Sequence, residues 1–401
     1  MILALTIAMV AAAVLTSGAL LMTVINLSGY RRPSIAAPAP AAEDAPLISV
    51  CVPARDEQEN IEACVGSVLG QDYPRVEVVV YDDDSSDATP DILASLASVD
   101  DRVRTAAHRP LPDGWVGKQH ACFQAARAAR GDWLLFTDAD VRLAPSCVRR
   151  TLHFARESHA QLVSTFPKQI TKTLAERLVV PLIHFILFSY LPMPRMRQTT
   201  DPAASAGCGQ FLFVSRQAYD TVGGHEAWKD SMHDGIRMPR AVRAAGHHTD
   251  LFDGTDAASC RMYDGWSEVW RGFTKNAYEG LGSVGLLVFL TVVHLVAHVG
   301  PPVYLIGALA GWWPPDAWLP ASIAVVVALV QRGLLAARFH QSPISVLLHP
   351  AGVAVMTAIQ WRSYLLHRSG KRTWRGRTTG EERGGAESSE KAGQASRLSR
   401  D

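Results

Sequence analysis

The chain has no Cys-x-x-Cys pair that would suggest zinc and no excess of charge of either sign. Its six cysteines, Cys51, Cys64, Cys122, Cys147, Cys208 and Cys260, stand singly, which points to neither a disulfide framework nor a structural zinc. Several lie among small or apolar neighbours, where a free thiol behaves as a small hydrophobe. Reduced thiols favour a cytosolic location for the soluble part. Thirty-nine basic residues against thirty-eight acidic ones leave a formal charge of +1, so there is no electrostatic case for nucleic acid as a partner. At 401 residues the chain can bury a large core without covalent staples.

Charge is also absent from residues 2–27, an almost wholly apolar run followed by Tyr30, Arg31 and Arg32. That length crosses a bilayer core of about 30 Å. A cleaved leader is the competing reading, but no basic residue precedes the run and it exceeds a usual leader's apolar region. We therefore expect a membrane anchor over residues 1–29, with the Arg pair holding the chain after it on the cytoplasmic side. Residues 30–46, rich in Pro and Ala, read as an extended linker, and residues 47–279 as the main domain.

Residues 47–52 form a β-type run that ends in Pro53, Ala54, Arg55, Asp56 and Glu57. A helix follows from an Asn60 cap, with Ile61, Cys64, Val65, Val68 and Leu69 at helical spacing. Residues 76–81 are a second, β-branched run, ending in Asp82, Asp83, Asp84, Ser85, Ser86 and Asp87. Thr89 and Pro90 then suit an N-cap and first-turn proline. A helix over 118–129, stopped by Gly131, leads to the stretch WLLFTDAD at 133–140, an apolar strand that breaks off into Asp138 and Asp140. This alternation is that of an α/β fold with a parallel, doubly wound, Rossmann-like sheet. In such a sheet the carboxyl ends of the strands share one crevice, where ligands bind. Two acidic side chains one residue apart offer hard oxygens to a divalent cation that also grips a diphosphate. A solvated Asp-rich turn is the alternative.

Residues 178–193 are apolar but broken by prolines, and suit a helix lying along a membrane surface, with a buried core helix as the alternative. Residues 280–379 change composition again. Residues 281–299 and 318–335 are spanning candidates, joined by a stretch with the interfacial aromatics Trp312 and Trp313. Residues 345–366 are split by His349-Pro350, and the basic residues after them favour an interfacial or re-entrant course over a third crossing in this region. Residues 380–401, poor in apolar side chains, read as a disordered tail.

The ordered motifs PARDEQENI, YDDDSSDAT and TDAD resemble those of the inverting family-2 glycosyltransferases with a GT-A nucleotide-binding fold, over residues 47–275. GWVGK at 114–118, GQFLFVSRQAYDTVGGHE from Gly209, WRGFTKN at 270–276 and WRGR at 374–377 resemble the membrane glycosyltransferases associated with carotenoid and hopanoid pathways. Two positions depart from the family's pattern. Asp84 stands where a glycine is usual, although left-handed backbone favours glycine. His233 stands where the family carries a Glu before its catalytic Asp.

The resemblance implies a nucleotide-sugar donor, a UDP-sugar by preference, held by Ala54, Arg55, Glu57, Asp83, Lys118 and Asp138. It implies a Mg²⁺ or Mn²⁺ ion on Asp138 and Asp140. Asp234 would be the base that deprotonates the acceptor, a role suited to a carboxylate whose pKa is raised by burial; a helix N-terminal Asp is the bland alternative. Trp115, Trp270, Arg271 and Lys275 would contact acceptor or diphosphate, though such aromatics also pack cores and such cations also lie in solvent. The expected acceptor is a membrane lipid or terpenoid, and the expected location a multi-pass cell-membrane protein with a cytoplasmic catalytic domain. A polyprenyl-phosphate acceptor is the rival. A non-catalytic nucleotide-sugar-binding subunit is the reading of a different class, favoured by His233 and Asp84.

Overall fold

In the computed structural model, which describes residues 2–38 and 40–369 and the backbone of 373–374 and 377–378, the apolar N-terminal run is one helix, α1 (Ile2–Gly29). The expected tail over 380–401 and the side chains of WRGR lie outside the described residues. β1 (Ile48–Ala54), α2 (Ile61–Leu69), β2 (Val76–Asp82), α3 (Thr89–Val99), β3 (Val103–Thr105), α4 (Gly117–Ala128) and β4 (Trp133–Thr137) follow in the expected alternation. β1 is buried at every position, as befits a strand covered by helices on both faces, and it pairs in parallel with β2 on one side and β4 on the other.

After β4 the order changes. β5 (Val141–Leu143), α5 (Cys147–Glu157), β6 (Leu162–Ser164) and β7 (Lys168–Gln169) lead into three short helices, α6 (Leu174–Val179), α7 (Leu182–Tyr190) and α8 (Met193–Gln198). β8 (Phe211–Ser215), α9 (Arg216–Thr221), α10 (Asp234–Ala244), β9 (Thr249–Leu251) and β10 (Ala258–Cys260) complete the domain. The main sheet runs β3-β2-β1-β4-β8-β6-β9. It is mixed, not wholly parallel, because β8 is antiparallel to both β4 and β6. The reason is that α6–α8 are not a crossover across the sheet. The chain leaves β6 at the carboxyl edge and re-enters at that same edge, so β8 must run the other way.

α11 (Gly265–Leu281) ends at Gly282, whose φ of 76° suits glycine. α12 (Val284–His294) continues through a π-helical turn into α13 (Gly300–Leu309), and α14 (Trp318–Phe339), α15 (Pro343–Leu347) and α16 (His349–Arg368) follow. Residues 2–29, 284–309 and 315–339 are the three described helical stretches long and apolar enough to cross a membrane. α1 buries a narrow stripe, Met9, Ala12, Thr16, Ala19, Thr23 and Asn26, where small side chains let helices approach closely. Gln331 on α14 donates from its amide to Ala19 O at 3.2 Å and Thr23 Oγ1 at 2.7 Å. The amide nitrogen of Gln331 thus faces partners inside the bundle.

The Arg pair after α1 has a local task as well. Arg32 and Arg338 both reach the fully buried Asp253, at 3.1 and 2.8 Å, and fasten the ends of α1 and α14 to the domain. The stretch expected as a linker lies against the domain too, its Pro33 carbonyl held by Arg150 at 2.7 Å and its Pro46 carbonyl by Tyr73 at 2.7 Å.

α7 overturns the surface-lying helix expected over 178–193. Leu182, Phe185 and Phe188 are at most 2% exposed, and Phe188 packs on Tyr30 and Phe339 with ring centroids 5.0 and 5.2 Å apart. An apolar helix asks for apolar surroundings, and protein supplies them here between the domain and the long apolar helix α14. Phe185→Asp is therefore expected to destabilise the protein by more than the ~3–5 kcal/mol typical of truncating a buried Phe, since it also buries an unpaired charge. A thermal melt within a few degrees of wild type would return α7 to the surface.

Candidate active site

The loops after β1 and β2 are laced together by their own polar residues. Asp56 N–H donates to Ser85 Oγ at 2.9 Å, Ser86 N–H to Asp56 Oδ1 at 2.7 Å, and Glu57 N–H to Thr89 Oγ1 at 2.9 Å. Asp56 and Asp84 adopt φ of 52° and 61°, so Asp84 takes the left-handed turn in which glycine would be at ease. Thr89 opens α3 as its first residue instead of capping it. Asn60 precedes α2 without capping it either; its amide donates to Glu57 Oε2 and its oxygen accepts from Arg142, both at 3.0 Å. Arg55 donates to the Asp83 carbonyl and stands 3.6 Å from Asp83 Oδ2. The Ala54 carbonyl accepts the Asp83 N–H at 2.8 Å.

Lys118, in the first turn of α4, ties together two carboxylates far apart in sequence, with its Nζ 2.7 Å from Asp138 Oδ1 and 3.1 Å from Asp234 Oδ2. Burial would push its ammonium down, but Asp138 and then Asp234 hold it well above the usual lysine range. Asp234 opens α10 and is 6% exposed. Burial, the largest single influence, would raise its pKa, but Lys118 together with the nearby His225 and His233 holds the carboxyl below the ordinary value. The expectation of a raised pKa is thus reversed, because the sequence gives no sign that Lys118 sits beside Asp234. Glycines make the seat. A Cβ on Gly209 would collide with the Asp234 carboxylate, and one on Gly235 would lie 2.7 Å from Gly207 O.

Asp138 and Asp140 follow β4, and Thr137 donates from Oγ1 to Gln210 O at 2.9 Å, joining this strand end to β8. Among the described residues no group of three or more His, Cys, Asp or Glu side chains is placed to hold a metal ion. A cation would therefore rest on two carboxylates and on oxygens of its ligand. The residues fit that use. Asp140 Oδ1 is buried without a hydrogen-bond partner, and burial, then Asp138, push its carboxyl up to about 7. A divalent ion relieves both the orphaned oxygen and the crowding of charge.

These groups open into one cavity of about 630 Å³. Arg55, Glu57, Lys118, Asp138, Asp140 and Asp234 line one part of it, and Arg271 and Lys275 of α11 line another. The rest is largely apolar, with Ile183, Ile186 and Leu187 from α7, Phe273, Ala277 and Leu281 from α11, and Met356 from α16. Ala54 and Asp83 lie behind the wall. Trp115 and Trp270 are not brought to it: Trp115 packs on Phe123 with centroids 5.2 Å apart, and Trp270 on Trp266 at 5.9 Å. Sequence reasoning missed Gln169 and Gln210, joined by an amide hydrogen bond of 3.0 Å at the cavity wall. It also missed Glu279, whose carboxylate accepts the Met232 N–H at 3.1 Å. None of the three had a local signal, since glutamine in a short strand or a turn and glutamate on an amphipathic helix are ordinary. His233 lines the cavity, and burial lowers its pKa against the opposing pull of Asp234 and Glu279.

The family described as glycosyl transferase family 2 matches residues 49–223. The chain is 25% identical over 253 residues to the 4,4'-diaponeurosporenoate glycosyltransferase of Staphylococcus haemolyticus (strain JCSC1435), covering 61% of this chain and 65% of that protein. It is 26% identical over 256 residues to the protein of the same name from Staphylococcus aureus (strain USA300), covering 61% and 64%. The match thus spans slightly under two thirds of these relatives' length. A mannosyltransferase of Pyrobaculum calidifontis, solved in complex with GDP-Man and Mn²⁺, superposes with a TM-score of 0.55 at 18% identity, over 91% of this chain and 99% of that one. That likeness is one of fold, the GT-A arrangement of a mixed α/β sheet.

Proposed function

We propose that this chain, whose residues 49–223 are a family 2 glycosyl transferase domain, moves a sugar from a nucleotide-diphosphate donor to a lipophilic acceptor held beside the membrane helices. The observation that carries the reading is the single cavity, which has charged groups at the sheet edge and apolar walls from α7, α11 and α16. A diphosphate suits the first part and a hydrocarbon chain the second. The relatives named for a carotenoid acid support a terpenoid acceptor. The three apolar helices support a multi-pass membrane protein, and the Arg pair after α1 supports a cytoplasmic domain.

In this reading Arg55 and Glu57 bind the nucleoside, with Asp83 supporting Arg55 from behind the wall at 3.6 Å, and Lys118 turns from its carboxylates toward the diphosphate. Asp138 and Asp140 hold a Mg²⁺ or Mn²⁺ ion, which when bound neutralises charge on the departing nucleotide. Asp234 accepts the proton of the acceptor as its oxygen attacks the anomeric carbon from the face opposite the leaving group, so the configuration inverts. The apolar wall keeps water from that oxygen's place.

Labelled nucleotide sugars, including UDP-sugars, offered to purified membranes with terpenoid and polyprenyl-phosphate acceptors would test the proposal. Transfer to a terpenoid is expected; transfer to polyprenyl phosphate alone would favour the rival acceptor. Ile186→Asp, on the cavity wall, is expected to lower transfer to lipid at least ~10-fold while changing donor hydrolysis little, because it disturbs only the acceptor's place. Equal loss of both, or undiminished transfer to a water-soluble saccharide, would sink the lipid acceptor.

A further inference from the structure

We propose that Glu279 is a positioning residue, which fixes the segment carrying Asp234 to the cavity wall so that the base meets the acceptor; the inference rests on the transfer reaction proposed above. Glu279 lies in the last turn of α11, just before the break at Gly282 that separates the domain from the spanning stretch 284–309. Its carboxylate reaches sideways to the segment before α10. Oε1 accepts the Ser231 O–H, and Oε2 accepts the Met232 N–H at 3.1 Å. Ser231 Oγ in turn accepts the His233 N–H at 3.1 Å. Asp234 follows at once, its Oδ1 accepting the Gly235 N–H at 2.8 Å.

A chain of hydrogen bonds therefore runs from α11 to the residue before Asp234. Ser231 and Met232 are only 2% and 5% exposed, so these bonds are shielded from water, and bonds to a charged acceptor are the stronger kind. The contact is reinforced at the neighbouring position, where Gly280 lies so near the His233 ring that a Cβ would be 3.2 Å from Nε2. The same helix presents Phe273, Ala277 and Leu281 to the apolar part of the cavity. One rigid element thus forms the acceptor's wall and holds the base's segment. Without the Glu279 carboxylate the segment 231–233 would keep its fold but lose its register against α11. A misplacement of about 1 Å in a reacting group can cost ~10²-fold in rate.

Glu279→Gln replaces one acceptor oxygen by an N–H donor facing either the Ser231 hydroxyl or the Met232 N–H, at nearly unchanged volume. In the full-length protein in lipid nanodiscs, it is expected to lower kcat for transfer about 10- to 100-fold with the donor KM within about twofold. Amide hydrogen exchange across 231–235 should quicken, and Glu279→Asp should recover part of the rate. Adding Glu279→Gln to Ser231→Ala should cost little more than Ser231→Ala alone, because the serine change already removes the bond to Oε1 and Gln can still accept the Met232 N–H. Wild-type exchange in Glu279→Gln would overturn the proposal, as would a donor KM that rises in step with the fall in kcat. Should the wild-type protein transfer no sugar at all, the proposed reaction fails, and the exchange experiment still decides whether Glu279 holds the segment.

Discussion

Asp234→Asn is expected to lower sugar transfer by about 10²–10⁴-fold, the usual contribution of a general base, while donor binding survives. The substitution keeps the shape of the side chain and removes its ability to take a proton. Lys118 retains Asp138 at 2.7 Å, so the donor side of the cavity keeps its arrangement. Isothermal titration with the donor and single-turnover transfer separate the two effects. Loss of donor binding equal to the loss of transfer would make Asp234 a structural helix-start residue. The pH profile adds a sharper check. Because Lys118, with His225 and His233, holds the Asp234 carboxyl below its ordinary value against burial, the free protein carries it ionised throughout the neutral range. In the profile of kcat/KM, which reports the free protein, Asp234 therefore should contribute no acid limb between pH 5 and 8, and a limb there that persists in Asp140→Ala would contradict the lysine clamp.

Asp140→Ala is expected to weaken metal-supported donor binding by at least the 10- to 100-fold that loss of an outer-shell partner typically costs, and chelation should weaken the wild-type protein in the same way. Asp140 also gives this effect a pH signature. With its carboxyl pushed up to about 7 by burial and Asp138, the metal-free folded protein binds a proton there that the unfolded chain has lost above its own pKa near 3.9. Between about pH 4 and 7 the folded state holds the extra proton, so its stability falls as pH rises through that window. A divalent ion needs the ionised form, so its binding releases a proton below pH 7, and apparent affinity should drop about tenfold per pH unit there. Melts with and without Mn²⁺ across this range measure both slopes. A metal-induced rise in melting temperature equal at pH 5 and pH 7.5 would remove Asp140 from the cation's ligands.

The parts of the site that were readable from sequence are those where one short segment carries both structure and chemistry. A β-branched run ending in Asp or Arg announces a strand and its functional carboxyl end together, which placed Arg55, Glu57, Asp138 and Asp140 on the cavity. Aromatic residues carried no such information. Trp115 and Trp270 pack against other rings away from the cavity, and nothing in their neighbours' identities distinguishes packing from ligand contact.

The sequence by itself determined the elements: apolar runs long enough to cross a bilayer, strands alternating with helices as far as β4, and acidic strand ends, each set by local length, periodicity and side-chain chemistry. Only the tertiary structure decided which apolar surface is covered by protein and which is left exposed, because lipid and protein satisfy the same hydrophobic demand; α7 went to protein. It alone reversed β8, since strand direction depends on the edge at which the chain re-enters the sheet. It also set the charge of Asp234. Lys118 lies 3.1 Å from Asp234, and a pKa answers to distance through space, which the order of residues along the chain does not contain.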